Sequence, residues 1–96
     1  MAVVVSVVAP GLTADAYDAV TAKVMDGDQL PEGCQLHIGG PVEEGWRVIT
    51  VWDTPEAFHK FRTEQLIPAI RETPGAGGDG PPPDPDVRPV HKLITA

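Results

Sequence analysis

A single cysteine, Cys34, stands in a chain of 96 residues. No disulfide can form within the chain, and a reducing, cytoplasmic setting is expected. Cations are also scarce: seven Lys and Arg face fourteen Asp and Glu, for a formal charge of −7. A chain this acidic offers no extended basic patch for a nucleic-acid backbone or an anionic membrane, so neither is expected as a partner. Long hydrophobic runs are missing as well. The apolar stretch from Met1 to Ala9 is too short for a membrane span and has no basic flank of the kind that starts a secretion signal. Serine occurs once, as Ser6 inside that stretch, which leaves no persuasive Ser-His-Asp set. The three histidines are far apart, without the H-x₃-H or H-E-x-x-H spacing of a metal site. The glycines from Gly75 to Gly80 are not followed by a helix, so they are no phosphate loop. No metal and no cofactor are expected.

What is present is globular composition, 42% hydrophobic and 22% charged, in one domain's worth of chain. Residues 2–9 are small or β-branched throughout and end at Pro10-Gly11, which predicts a strand. It is apolar on both faces, with Val3, Val5 and Val7 on one and Val4 and Val8 on the other. A strand with one face in water would alternate with polar residues. A helix is predicted over 13–25, with Thr13 as N-cap, Asp15 at the positive end, and Tyr17, Val20 and Val24 in one stripe. Residues 34–38 predict a second strand, with Cys34, Leu36 and Ile38 opposite Gln35 and His37. Gly39-Gly40-Pro41 predicts a loop. Residues 45–52 predict a third strand, with Trp46, Val48, Thr50 and Trp52 on one face and Arg47, Ile49 and Val51 on the other. The short connection makes the second and third strands an antiparallel hairpin. Thr54, Pro55 and Glu56 form a specific helix start. The helix carries Ala57, Phe58, Phe61 and Leu66, and Pro68 predicts a kink or break near Ile67. Residues 73–86 hold nine Gly or Pro in fourteen positions, which predicts a linker with no core of its own. Residues 87–95 predict a last strand, at an edge or irregular at Pro89, which cannot donate to a ladder.

The order β-α-β-β-α-β, wound through two right-handed crossovers, predicts an α+β fold of ferredoxin-like type. It would have a four-stranded antiparallel sheet with both helices on one face. The helices cover one face only, yet the first strand is apolar on both. A second copy of the sheet is the economical cover, so a homodimer is expected.

The stretch GWRVITVWDTPEAFHKF resembles the third strand and second helix of the dimeric α/β-barrel superfamily, and PPPDPDVRPVHKLI resembles its closing loop and strand. The likeness is nearest to antibiotic-biosynthesis-monooxygenase-like domains of the small actinobacterial type, and it spans essentially the whole chain. It implies a dimeric α/β barrel and a small-molecule site between sheet and helices. The superfamily also hosts haem degraders, isomerases and cyclases. The resemblance implies that Trp52 is a pocket tryptophan. Both the cofactor-free monooxygenases and the haem degraders of this kind use an asparagine near the substrate oxygen, and this chain contains no asparagine. Proton-transfer chemistry, such as cyclisation or isomerisation, is therefore expected over oxygenation, on a small hydrophobic or aromatic ligand.

Several residues could carry that chemistry. His37 sits between Leu36 and Ile38 and has a near-neutral pKa suited to acid–base catalysis; a core or dimer-seam histidine is the plainer alternative. Trp52, Thr50 and Phe58 are expected as pocket walls, with Gln35, Tyr17 and His91 as polar anchors. Trp46 is expected to pack. A helix histidine, His59, could in principle ligate haem, but Lys60 and Arg62 beside it suggest an exposed position. Two other readings stay open: a non-catalytic dimeric module that binds a hydrophobic ligand, and a structural dimerisation domain with a filled core.

Overall fold

The computed structural model describes residues 1–25, 27, 29–76 and 83–96. Strand β1 (Val3–Pro10) leads into helix α1 (Ala14–Val24), which begins where the Thr13 hydroxyl accepts a hydrogen bond from the Ala16 N–H at 3.2 Å. Ala16 and Val20 form the buried stripe of α1. Strands β2 (Cys34–Val42) and β3 (Gly45–Trp52) make an antiparallel hairpin. Thr54 caps helix α2 (Pro55–Phe61) by accepting from the Ala57 N–H, with Pro55 in the first turn. The chain closes with strand β4 (Asp86–Pro89).

The sheet order is β2-β3-β1-β4, with every neighbouring pair antiparallel. This is the ferredoxin-like α+β arrangement. Alternation in β1 sorts its faces. Val3 and Val5 are buried against the helices with Trp52, Phe58 and Phe61, which together form the core. Val4 and Val8 point to the other face. That face also carries Ile49, which pairs with Ile38. Ile38 is 50% exposed and Val8 38%.

Two local expectations are corrected and one is refined. Gly39-Gly40-Pro41 is not a loop but part of β2, which runs on to Val42. The reason is that β2 lies at the sheet edge, where one side of the strand has no ladder partner and a proline is tolerated. Near Ile67, where a kink or break is expected, the helix is irregular but does not stop. After α2 the chain passes through a π-helical turn (Arg62–Leu66) directly into helix α3 (Ile67–Glu72), and the Ile67 N–H reaches back five residues to the Arg62 carbonyl. A regular turn would press the Pro68 ring against the carbonyl four residues earlier; the wider turn ahead of it relieves that clash. The last strand is shorter than the predicted 87–95. It ends at Pro89, although the Val90 N–H just beyond still donates to the Ala2 carbonyl at 2.9 Å. Six of the fourteen residues of the predicted linker 73–86, residues 77–82, lie outside the described residues. Among the described residues, no helix is long and apolar enough to cross a membrane.

Candidate functional site

The site begins with a one-residue slip in β2. Cys34 pairs with Trp52, but Leu36 pairs with Val51 and His37 with Thr50. Two residues of β2 thus span one step of β3, which is a β-bulge. Strict alternation would put Cys34 and His37 on opposite faces. The bulge brings both to the helix side, with Thr50 and Trp52. It also corrects two expectations. Cys34 shares the face of His37, which pairs with Thr50, rather than the opposite one. Gln35, the inserted residue, does not share the face of His37; it is exposed, and its side-chain amide donates to Asp53 Oδ1.

Between this sheet face and helices α1, α2 and α3 lies a cavity of about 150 Å³. Val5, Val7, Val20, Phe58, Leu66 and Ile70 are among its walls. Its few polar groups include Tyr17 and His37, which are hydrogen-bonded to each other through the Tyr17 hydroxyl and His37 Nε2. Burial lowers the His37 pKa below the ordinary imidazole value. Burial, and then the negative charge of Asp18, raises that of Tyr17. Both shifts favour the uncharged forms. When the tyrosine donates to Nε2 the histidine proton sits on Nδ1, and when the proton sits on Nε2 the direction reverses. Nδ1 is buried with no hydrogen-bond partner among the described residues.

Packing holds the pair in place. The Tyr17 ring lies 4.9 Å from the Trp46 ring, centroid to centroid. Its other neighbour is Gly39, where a Cβ would stand only 2.6 Å from Tyr17 Cζ. A glycine is needed there for close approach rather than for a turn. Trp46 packs on Tyr17, as expected.

Trp52 holds the other end. It is 1% exposed and packs against Phe58 and Phe61, with centroids at 5.8 and 5.1 Å. Its indole N–H donates to the Thr50 hydroxyl at 2.8 Å. Its polar handle is therefore taken, and it offers the cavity an apolar surface.

Of the residues singled out in the sequence, Tyr17, His37, Thr50, Trp52 and Phe58 line the cavity together. Gln35 and His91 do not. His91 is exposed and follows the end of β4, and its expected place in the cavity is corrected. His59 is exposed on α2, 5.4 Å from the Phe58 ring. Among the described residues, no group of three or more His, Cys, Asp or Glu could hold a metal ion. Sequence reasoning missed Cys34, Arg62 and Arg71 as wall residues. Arg62 had a signal: it lies four residues after Phe58 and four before Leu66, on the same stripe.

No family model matches the chain, and no curated protein is similar to it. Solved structures are, among them two that carry the same provisional name. One is a provisionally named antibiotic biosynthesis monooxygenase from Deinococcus radiodurans, 15% identical, with a TM-score of 0.58 over 100% of this chain and 98% of that one. The chain has the fold of that protein. The other, from Chloroflexus aurantiacus and provisionally named in the same way, is 19% identical, with a TM-score of 0.52 over 97% of this chain and 95% of that one. At these identities the likeness speaks to the fold, and the resemblance of the GWRVITVWDTPEAFHKF stretch to antibiotic-biosynthesis-monooxygenase-like domains agrees with it.

Proposed function

We propose that the chain is a cofactor-independent enzyme that moves a proton on a small hydrophobic ring compound, in a cyclisation or isomerisation. The observation that carries this reading is a neutral, half-buried histidine hydrogen-bonded to a tyrosine inside an otherwise largely apolar cavity. Polar groups placed in an apolar pocket, with pKa values shifted away from their usual range, are the general mark of acid–base sites. A dry cavity of about 150 Å³ is large enough for a benzene-sized molecule, so a one-ring ligand is the scale that fits.

With Tyr17 as the donor to His37, the order of events in this reading follows. His37 Nε2 is already engaged, so substrate meets the Tyr17 oxygen. As the Tyr17 proton passes to Nε2, the phenolate oxygen takes a proton from the substrate. The result is an imidazolium, a restored tyrosine and a substrate anion. Returning the proton to a different atom completes an isomerisation. Because burial disfavours the imidazolium, the substrate must be readily ionised, as a β-dicarbonyl or a phenol is. An oxygenation of the kind suggested by the names of the structural neighbours would begin with the same anion.

The reading has the chain acting as a homodimer through the sheet face that carries Val8 and Ile38, in a reducing compartment that suits the free thiol of Cys34. The largely apolar wall of the cavity also supports a second reading, a module that binds a hydrophobic ligand without converting it. Hydrogen–deuterium exchange separates the two. One-ring ketones and β-diketones in heavy water should exchange their α-hydrogens faster with protein than in buffer, saturably. His37→Gln and Tyr17→Phe should remove the acceleration. Binding without accelerated exchange would leave the binding module.

A further inference from the structure

The wall of the cavity has a charge asymmetry that proton transfer between Tyr17 and His37 does not use. The chain carries twice as many acidic as basic residues, fourteen against seven. Yet among the described residues no Asp or Glu lines the cavity, while Arg62 and Arg71 both do. Arg62 is half-buried in the stripe of Phe58 and Leu66, and Arg71 is exposed, which puts its end of the cavity at the surface. Neither makes an ion pair among the described residues, where the pair found is Arg88 with Asp86 on the far side of the sheet order. The Arg62 guanidinium is not among the buried unpartnered groups: its stem lies in the wall and its charge stands open to the anionic end of a ligand.

We propose that the ligand is a ring-sized organic carboxylate. Its apolar body lies against Trp52 and Phe58, and its carboxylate meets Arg62, with Arg71 at the outer end. The proposal rests on the reading of the cavity as a ligand site and adds the chemical class of the ligand. The planar guanidinium fork matches a carboxylate with two parallel hydrogen bonds. With no Asp or Glu among the described wall residues, an anion meets less repulsion from them than it would over most of this acidic surface.

Calorimetric titration of the whole chain with 4-methylbenzoate and with its neutral counterpart 4-methylbenzamide tests this. The carboxylate should bind at least about tenfold more tightly. Arg62→Met, which keeps the length and apolar stem of the side chain, should abolish the preference. Arg71→Gln, at an exposed position, should reduce the preference and serves should Arg62→Met fail to fold. Equal affinity of the wild-type chain for both probes, or a preference that survives both substitutions, would overturn the carboxylate assignment and leave the cavity reading intact. Binding of neither probe would overturn both.

Discussion

The Tyr17 hydroxyl, on helix α1, is hydrogen-bonded to Nε2 of His37, on strand β2, twenty residues away in sequence. The contact ties the first helix to an edge strand and places two titratable groups side by side in an apolar cavity. It has consequences for stability as well as for chemistry.

The first is a pH dependence. Burial lowers the folded His37 pKa, so the unfolded chain binds this proton more readily than the native one. Stability therefore rises with pH across this window. The His37 contribution is complete above the ordinary imidazole value of about 6.5 and is lost as pH falls through the folded value. Urea denaturation at a series of pH values from about 8 down to about 5 should show the midpoint falling, and His37→Gln should flatten that slope. An unchanged slope in the variant would place the dependence elsewhere.

The second concerns Gly39. A methyl group there would displace the Tyr17 ring. Gly39→Ala should cost about 1–3 kcal/mol, as overpacking in a well-filled core does. It should also break the contact with His37, so the histidine loses its partner even though it is itself unaltered. Chemical denaturation gives the first quantity, and the imidazole resonances of His37 by NMR report the second. A variant as stable as the wild type, with His37 resonances unmoved, would contradict the packing described.

Much of this fold is legible in the sequence, and the exceptions share a cause. Thr13 and the Thr54-Pro55-Glu56 start mark their helices because capping is a local matter of a few adjacent residues. The alternation of Trp46, Val48, Thr50 and Trp52 marks β3 for the same reason. The Gln35 bulge is not local. CQLHI alternates cleanly as written, and only the pairing with β3 shows that Cys34 and His37 share a face. Gly39-Gly40-Pro41 reads as a loop until β2 is known to be an edge strand. Pro68 reads as a kink or break until the π-helical turn ahead of it is seen. The candidate site divides likewise. Tyr17, His37 and Trp52 stand out by residue type. Arg62 does not, since an arginine on a helix is ordinarily solvated, and its place in the wall depends on a half-turn of helix phase.

The third prediction concerns the exposed sheet face. Ile38 is half exposed beside Ile49, with Val8 two strands across. A homodimer that covers this face should be lost when a charge is placed on it, because an unpaired carboxylate cannot be buried cheaply. Light scattering at low micromolar concentration should give twice the chain mass for the wild type and the chain mass for Ile38→Glu. A monomeric wild type would remove the dimer from the account.

The central claim is that His37 is a neutral base partnered by Tyr17 within a ligand cavity, and a nitrogen-15 NMR titration of the His37 imidazole tests it most directly. The account predicts a midpoint below the ordinary imidazole value of about 6.5, a proton on Nδ1 in the neutral form, and a shift of both ring nitrogens when a one-ring ligand is added. A midpoint at the ordinary value, with ring resonances indifferent to Tyr17→Phe and to every ligand tried, would contradict it.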